Sequence, residues 1–253
     1  MSSARRRTAA AVALSGAISA ALLSTPAAPA AIVDGALRTD TVAPDTLAPD
    51  VSDSTSGNWS GYAATGGGFT SVSAGWTEPA VTCGSQTTYS SFWIGLDGDG
   101  SSTVEQIGTE ADCSGGSPVY AAWYEMYPGG PVEFSSAVSP GDALQASVTY
   151  GGSGRFTLVL ADRTKGWSHT YTPHLDNPAL ASAEVVAEAP SDAAGVLPLS
   201  DFRSVAFSGA TVNGVALGSF HPDPITMASG GATKATPGPI SASGGFTVTW
   251  QHS

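Results

Sequence analysis

The residues of this 253-residue chain that could do hydrolytic chemistry from a strand face include one glutamine, Gln106, and a set of glutamates, among them Glu110, Glu125, Glu184 and Glu188. A carboxylate can take a proton from water and return it to a leaving group. A carboxamide N–H can stabilise a developing oxyanion, so a Glu and a Gln brought together suffice to hydrolyse a peptide bond. Two carboxyls set across a sugar would instead hydrolyse a glycosidic bond. Other hydrolytic chemistries find less support. There is no Gly-x-Ser-x-Gly elbow, and His169, His174, His221 and His252 fall in loop-like or terminal stretches. No His-Glu-x-x-His and no paired Cys/His spacing suggests zinc. Asp97-Gly98-Asp99-Gly100 begins like a calcium loop but lacks the later ligands, so it reads as a tight turn. No metal or cofactor is expected. Asn58-Trp59-Ser60 is formally a glycosylation sequon.

The candidate residues sit in short β-prone runs. Ser91 to Leu96, Val119 to Met126, Ala143 to Tyr150, Phe156 to Leu160, Ser182 to Ala187, Ser204 to Phe207 and Gly245 to Trp250 alternate with clusters of Gly, Ser, Pro and Asp. This pattern predicts one all-β domain, an antiparallel sandwich or barrel, with no sustained helix after the N-terminal stretch. Alternate residues of a strand share a face. Ala121, Trp123 and Glu125 therefore lie together, as do Val104, Gln106, Gly108 and Glu110, and likewise Glu184, Val186 and Glu188. In a half-exposed sheet such polar residues face solvent, and periodicity by itself favours that placement over a cluster. The same parity keeps Trp123 and Tyr124 out of a common groove.

Charge and cysteine content restrict the setting. Lys and Arg total 9 against 21 Asp and Glu, for a formal net charge of −12 and a pI near 4.4. From Thr55 onward the only cations are Arg155, Arg163, Lys165, Arg203 and Lys234, too few to hold nucleic-acid phosphates, so a nucleic-acid partner is excluded. Arg5-Arg6-Arg7, the apolar run Thr8 to Leu23 and the small residues Ala28-Pro29-Ala30 form an export signal over 1–31, with no membrane anchor expected after its removal. Residues 32–56 have no hydrophobic period and carry five Asp against a single Arg38, which suits a spacer or short propeptide. The folded domain is expected over 57–253. Cys83 and Cys113 fit a disulfide in an oxidising, extracellular compartment. A monomer is the default for a secreted domain of this size.

Several motifs stand in order along the chain: Asn58-Trp59-Ser60-Gly61-Tyr62, Phe92-Trp93-Ile94-Gly95-Leu96-Asp97-Gly98, Glu105 to Glu110, Ala122 to Pro128, and Ser182 to Glu188. In this order and at these separations the chain resembles the glutamic peptidases, the eqolisin family, from about Gly57 to Trp250. The resemblance implies a jelly-roll-type β-sandwich of two large antiparallel sheets and a secreted endopeptidase acting on polypeptides at acidic pH. It implies a catalytic pair at Gln106 and Glu188, cleft tryptophans at Trp59 and Trp93, and a supporting carboxylate at Glu125. Glu110 stands where the family usually has Asp, Val185 where it has Trp, and the turn from Asp97 to Gln106 is about a residue short. These departures bear on subsite shape. Outside the resemblance, a lectin-like carbohydrate-binding sandwich and a glycosidase using Glu125 and Glu188 are the competing expectations.

Overall fold

Residues 54–253 are described by a computed structural model of the chain. The expected signal, 1–31, and the spacer as far as residue 53 lie outside the described residues. In chain order the first strands are β1 (Ser54–Ser56), β2 (Trp59–Thr65), β3 (Ser71–Thr77), β4 (Ser91–Leu96), β5 (Val104–Ser114) and β6 (Ser117–Tyr127). They are followed by β7 (Val132–Phe134), β8 (Ala143–Tyr150), β9 (Phe156–Asp162), β10 (Trp167–Tyr171), β11 (Ser182–Glu188) and β12 (Ser191–Asp192). The last six are β13 (Gly195–Val196), β14 (Ser204–Val212), β15 (Val215–Ala216), β16 (Asp223–Ser229), β17 (Ala232–Pro237) and β18 (Phe246–Trp250). Leu217–Phe220 is a single 3-10 turn, and no helix among the described residues is long and apolar enough to cross a membrane.

Fourteen strands follow one hydrogen-bonded path, β10-β9-β8-β3-β14-β18-β17-β16-β2-β11-β4-β5-β6-β7. The path folds back at β17 and β16, and its two halves pack face to face. β4 lies against β3 and β8, β5 against β8 and β9, and β11 against β3 and β14. This is the expected sandwich, with the two sheets continuous at one edge. The inward residues explain the packing: Leu144, Ala146 and Val148 alternate with more exposed neighbours along β8 and meet Phe92, Ile94 and Leu96 of β4 and Ile107 of β5 in the main core. Among the described residues the first strand is β1. β1 pairs in parallel with β16, Ser54 opposite Ile225 and Ser56 opposite Met227. Cys83 and Cys113 form a disulfide with their Cα atoms 5.4 Å apart.

Two expectations need correction. The glutamates and Gln106 do not face solvent: Glu105, Gln106, Glu125, Glu184 and Glu188 are all fully buried. The reason lies in β4 and β11, whose residues are buried on both faces. The inner face packs on the main core, and the outer face is filled by a second apolar cluster of Trp59, Ala63, Trp93, Val104, Trp123, Val186 and Ile225. His169 is not in a loop. It lies on β10, half-buried, stacked on Phe134 at 4.3 Å with Ser136 Oγ 2.8 Å from its Nε2.

Candidate active site

The outer face of β2, β11, β4, β5 and β6 carries the candidate residues, because register places them in three rows. In the first, Glu188 stands opposite Trp59 on one side and Ser91 on the other, Ser91 opposite Glu110, and Glu110 opposite Ala121. In the second, Val186, Trp93, Gly108 and Trp123 follow one another across the strands. In the third, Glu184, Gly95, Gln106 and Glu125 do so. Gln106 and Glu188 thus share a face, with β4 between their strands. Trp123 joins them in the outer cluster, while Tyr124 packs at the margin of the main core and stacks on Tyr171 at 4.0 Å, as parity requires.

The Trp93 indole occupies the interval between the two ends of this face. Its Nε1 donates to Glu188 Oε2 at 2.7 Å, and its ring meets the Trp59 ring edge-on at 5.0 Å. Two glycines make room for it. A Cβ on Gly108 would lie 2.6 Å from Trp93 Cβ and 2.3 Å from the Phe92 carbonyl oxygen. A Cβ on Gly95 would lie 3.0 Å from Trp93 Cζ3 and 3.3 Å from Gln106 Cβ. Trp93 is fully buried, so it is a support beneath the face, and Trp59 is only 5% exposed. The side chain of Trp59 also abuts the β4–β5 loop, where Gly98, at φ +106, leaves no space for a Cβ beside the indole.

Two hydrogen-bonded groups result. Glu188 receives Trp93 Nε1 on Oε2 and Asn58 Nδ2 on Oε1, the latter at 3.0 Å. Gln106 donates through Nε2 to Glu125 Oε2 at 2.8 Å. Burial pushes the Glu125 carboxyl up to about 9, the charge of Glu188 adds to this, and the Gln106 hydrogen bond opposes it. Burial and the charge of Asp97 raise Glu105 to about 8. Burial, with the charges of Asp99 and Asp97, holds Glu184 well above the ordinary carboxylate range. Glu110 is half-buried in the Glu188 row. Glu125 is thus a buried acid bonded to a carboxamide, and Glu188, two rows away on the same face, is a buried carboxyl group that accepts two N–H donors.

Sequence reasoning missed Asn58 as part of this set. The sequon reading is the one the structure displaces: Asn58 is 1% exposed and its amide nitrogen is engaged by Glu188. Only its position next to Trp59 hinted at the site. Asp97, read as part of a tight turn, has φ 65 and accepts the backbone N–H groups of Leu180 and Ala181, tying the β4–β5 loop to the start of β11.

Residues 57–250 match the family model described as the Peptidase A4 family. The chain is 28% identical over 179 residues to aspergillopepsin-2 of Aspergillus niger, a match covering 61% of this chain and 64% of that protein. It is 35% identical over 111 residues to scytalidopepsin B of Scytalidium lignicola, covering 43% of this chain and 41% of the relative. The matched stretches thus span less than two thirds of either relative. Among solved structures it is similar to scytalido-glutamic peptidase with a transition state analog inhibitor, at a TM-score of 0.68 and 23% identity, covering 77% of this chain and 98% of that one.

Proposed function

Because the chain belongs to the peptidase A4 family, we propose that it is a secreted endopeptidase that hydrolyses peptide bonds at acidic pH through Gln106 and Glu188. The observation that carries this reading is the pair of hydrogen-bonded groups on one sheet face. Glu188 is held by a donor on each oxygen, and Gln106 is held by Glu125 on the same face. Donors to both carboxylate oxygens favour the ionised form and oppose the cost of burial. Glu188 then serves as general base, taking a proton from a water molecule that attacks the scissile carbonyl carbon. The Gln106 amide donates to the oxyanion that forms. The second hydrogen of Nε2 remains available for this while the first is given to Glu125. The protonated Glu188 passes its proton to the leaving nitrogen as the tetrahedral intermediate collapses, which restores the carboxylate. No enzyme-bound covalent intermediate arises on this route.

Acidic operation follows from the neighbourhood. A carboxylate works best as base and then acid near its own pKa, ordinarily about 4.3. At that pH Glu125 and Glu184, on the same face, are protonated, so the face carries little charge repulsion around Glu188. Scytalido-glutamic peptidase was solved with a peptide-based transition state analog, which supports a polypeptide substrate here. The two-carboxylate glycosidase is the less favoured reading, because Glu125 is hydrogen-bonded to the Gln106 carboxamide. Incubation of the purified protein with acid-denatured haemoglobin at pH 3–5 is expected to release peptides. Reducing-sugar release from a glycan panel without peptide release would overturn the proposal.

A further inference from the structure

Asn58 reaches Glu188 because something fixes which end of its carboxamide points there. Ser56 Oγ lies 3.2 Å from the Asn58 amide nitrogen and 3.0 Å from the Trp59 amide nitrogen, and accepts both N–H groups. A hydroxyl has two lone pairs and one proton. With both lone pairs occupied, the proton must be donated, and its acceptor is Asn58 Oδ1 at 3.1 Å. That assigns Oδ1 to the Ser56 side and leaves Nδ2 directed at Glu188 Oε1, 3.0 Å away. The backbone reinforces the link, since Ala189, the residue after Glu188, donates its N–H to the Asn58 carbonyl at 2.8 Å. Ser56 is itself held by strand pairing, opposite Met227 and next to the pair of Thr55 with Thr226. Ser56 is 8% exposed, Asn58 1% and Glu188 fully buried, so water does not substitute freely for any of these bonds.

We propose that Ser56 and Asn58 form a positioning relay that orients the general base Glu188, and that the working enzyme therefore retains its chain through Ser56. The base assignment is taken from the function proposed above. The relay itself consists of hydrogen bonds within the folded chain. Ser56 touches neither substrate nor the reacting carboxylate and acts through Asn58, whose Nδ2 holds Glu188 Oε1. They fix the rotamer of Glu188 and favour its ionised form, and a maturation cut at or after Ser56 removes the hydroxyl that sets the Asn58 carboxamide.

The test uses the full chain with Ser56→Ala, Ser56→Thr and Glu188→Gln, and the Ser56→Ala/Glu188→Gln double variant. Ser56→Ala is expected to lower kcat about tenfold with KM nearly unchanged, and to move the acid limb of the pH–rate profile upward. Ser56→Thr keeps a hydroxyl and is expected to restore most of kcat. A double-mutant cycle on the unfolding equilibrium at pH 5 is expected to give a coupling of at least about fivefold between Ser56 and Glu188. No coupling, or equal impairment by Ala and Thr, overturns the relay. Coupling present in a protein that releases no peptide overturns the peptidase reading and leaves the relay standing. N-terminal sequencing of the folded, secreted product is expected to find a start upstream of Ser56, and a fully active product beginning at Gly57 or later overturns the retention.

Discussion

Raising the pH from 4 to 7 is expected to destabilise this protein strongly, and replacing one buried acid should remove a defined part of that loss. Glu78 is 1% exposed, and its Oε2 accepts Thr109 Oγ1 at 2.5 Å and the Trp76 indole N–H at 3.4 Å. Burial pushes its carboxyl from 4.5 up to about 8, and the charges of Asp142 and Glu110 act in the same direction. In the unfolded chain the same group titrates at its ordinary value. Between pH 4.5 and 8 the folded state therefore holds a proton that the unfolded state has released. The associated stability is fully present below about pH 4.5 and is lost as pH rises toward 8, at about 1.4 kcal/mol per pH unit for each such group. By pH 7 Glu78 accounts for about 3 kcal/mol, and Glu105, raised to about 8, accounts for a similar amount. Together these losses rival the whole stability of an ordinary domain, about 5–15 kcal/mol. Glu78→Gln keeps the shape and an acceptor for Thr109 but cannot ionise. Urea unfolding followed by tryptophan fluorescence at pH 4, 5.5 and 7 is expected to find the variant within about 1 kcal/mol of wild type at pH 4, and more stable by about 2–3 kcal/mol at pH 7. Equal wild-type stability at pH 4 and 7, or parallel pH curves for wild type and Glu78→Gln, would refute the reasoning.

Three further outcomes follow from the same geometry. Glu125 is protonated throughout the acidic range, so Glu125→Gln should retain activity within about tenfold at pH 4, whereas Glu125→Ala, which leaves Gln106 Nε2 unheld, should lose about 100-fold in kcat. Steady-state kinetics on one peptide substrate distinguishes the two. Gly108→Ala places a methyl against Trp93 Cβ and the Phe92 carbonyl, and is expected to lower both stability, by about 2 kcal/mol or more, and activity, read by thermal melting and peptide release. Replacing Cys83 and Cys113 together with Ser should cost about 3–4 kcal/mol of stability, from the length of the loop they close, with little change in kcat at a temperature where the variant stays folded.

The strands were readable because their signals are local. Ser91–Leu96 and Ala143–Tyr150 appear with their expected bounds, since each is a β-prone run with turn residues at both ends. Parity correctly joined Gln106 with Gly108, and Glu184 with Glu188, because the period of two is a property of the backbone. The burial of that face was not readable. It depends on a second apolar layer assembled from β2, β4, β5, β6, β11 and β16, whose members, such as Trp59 and Ile225, are far apart along the chain. The same distance hid the partners of Glu188. Asn58 is separated from it by 130 residues, and nothing local to Asn58-Trp59-Ser60 separates a buried amide from a glycosylated one. Glu78 gave no signal either, for its environment is made by Trp76 and Thr109 converging from different strands.

Hydrolysis of a single peptide substrate at pH 4 by wild type, Glu188→Gln and Gln106→Ala, each verified as folded by circular dichroism, tests the dyad most directly. Loss of the base is expected to lower kcat by about 100- to 10,000-fold, and loss of the amide donor by about 100- to 1,000-fold. Proteolysis by Glu188→Gln at the wild-type rate would contradict the account.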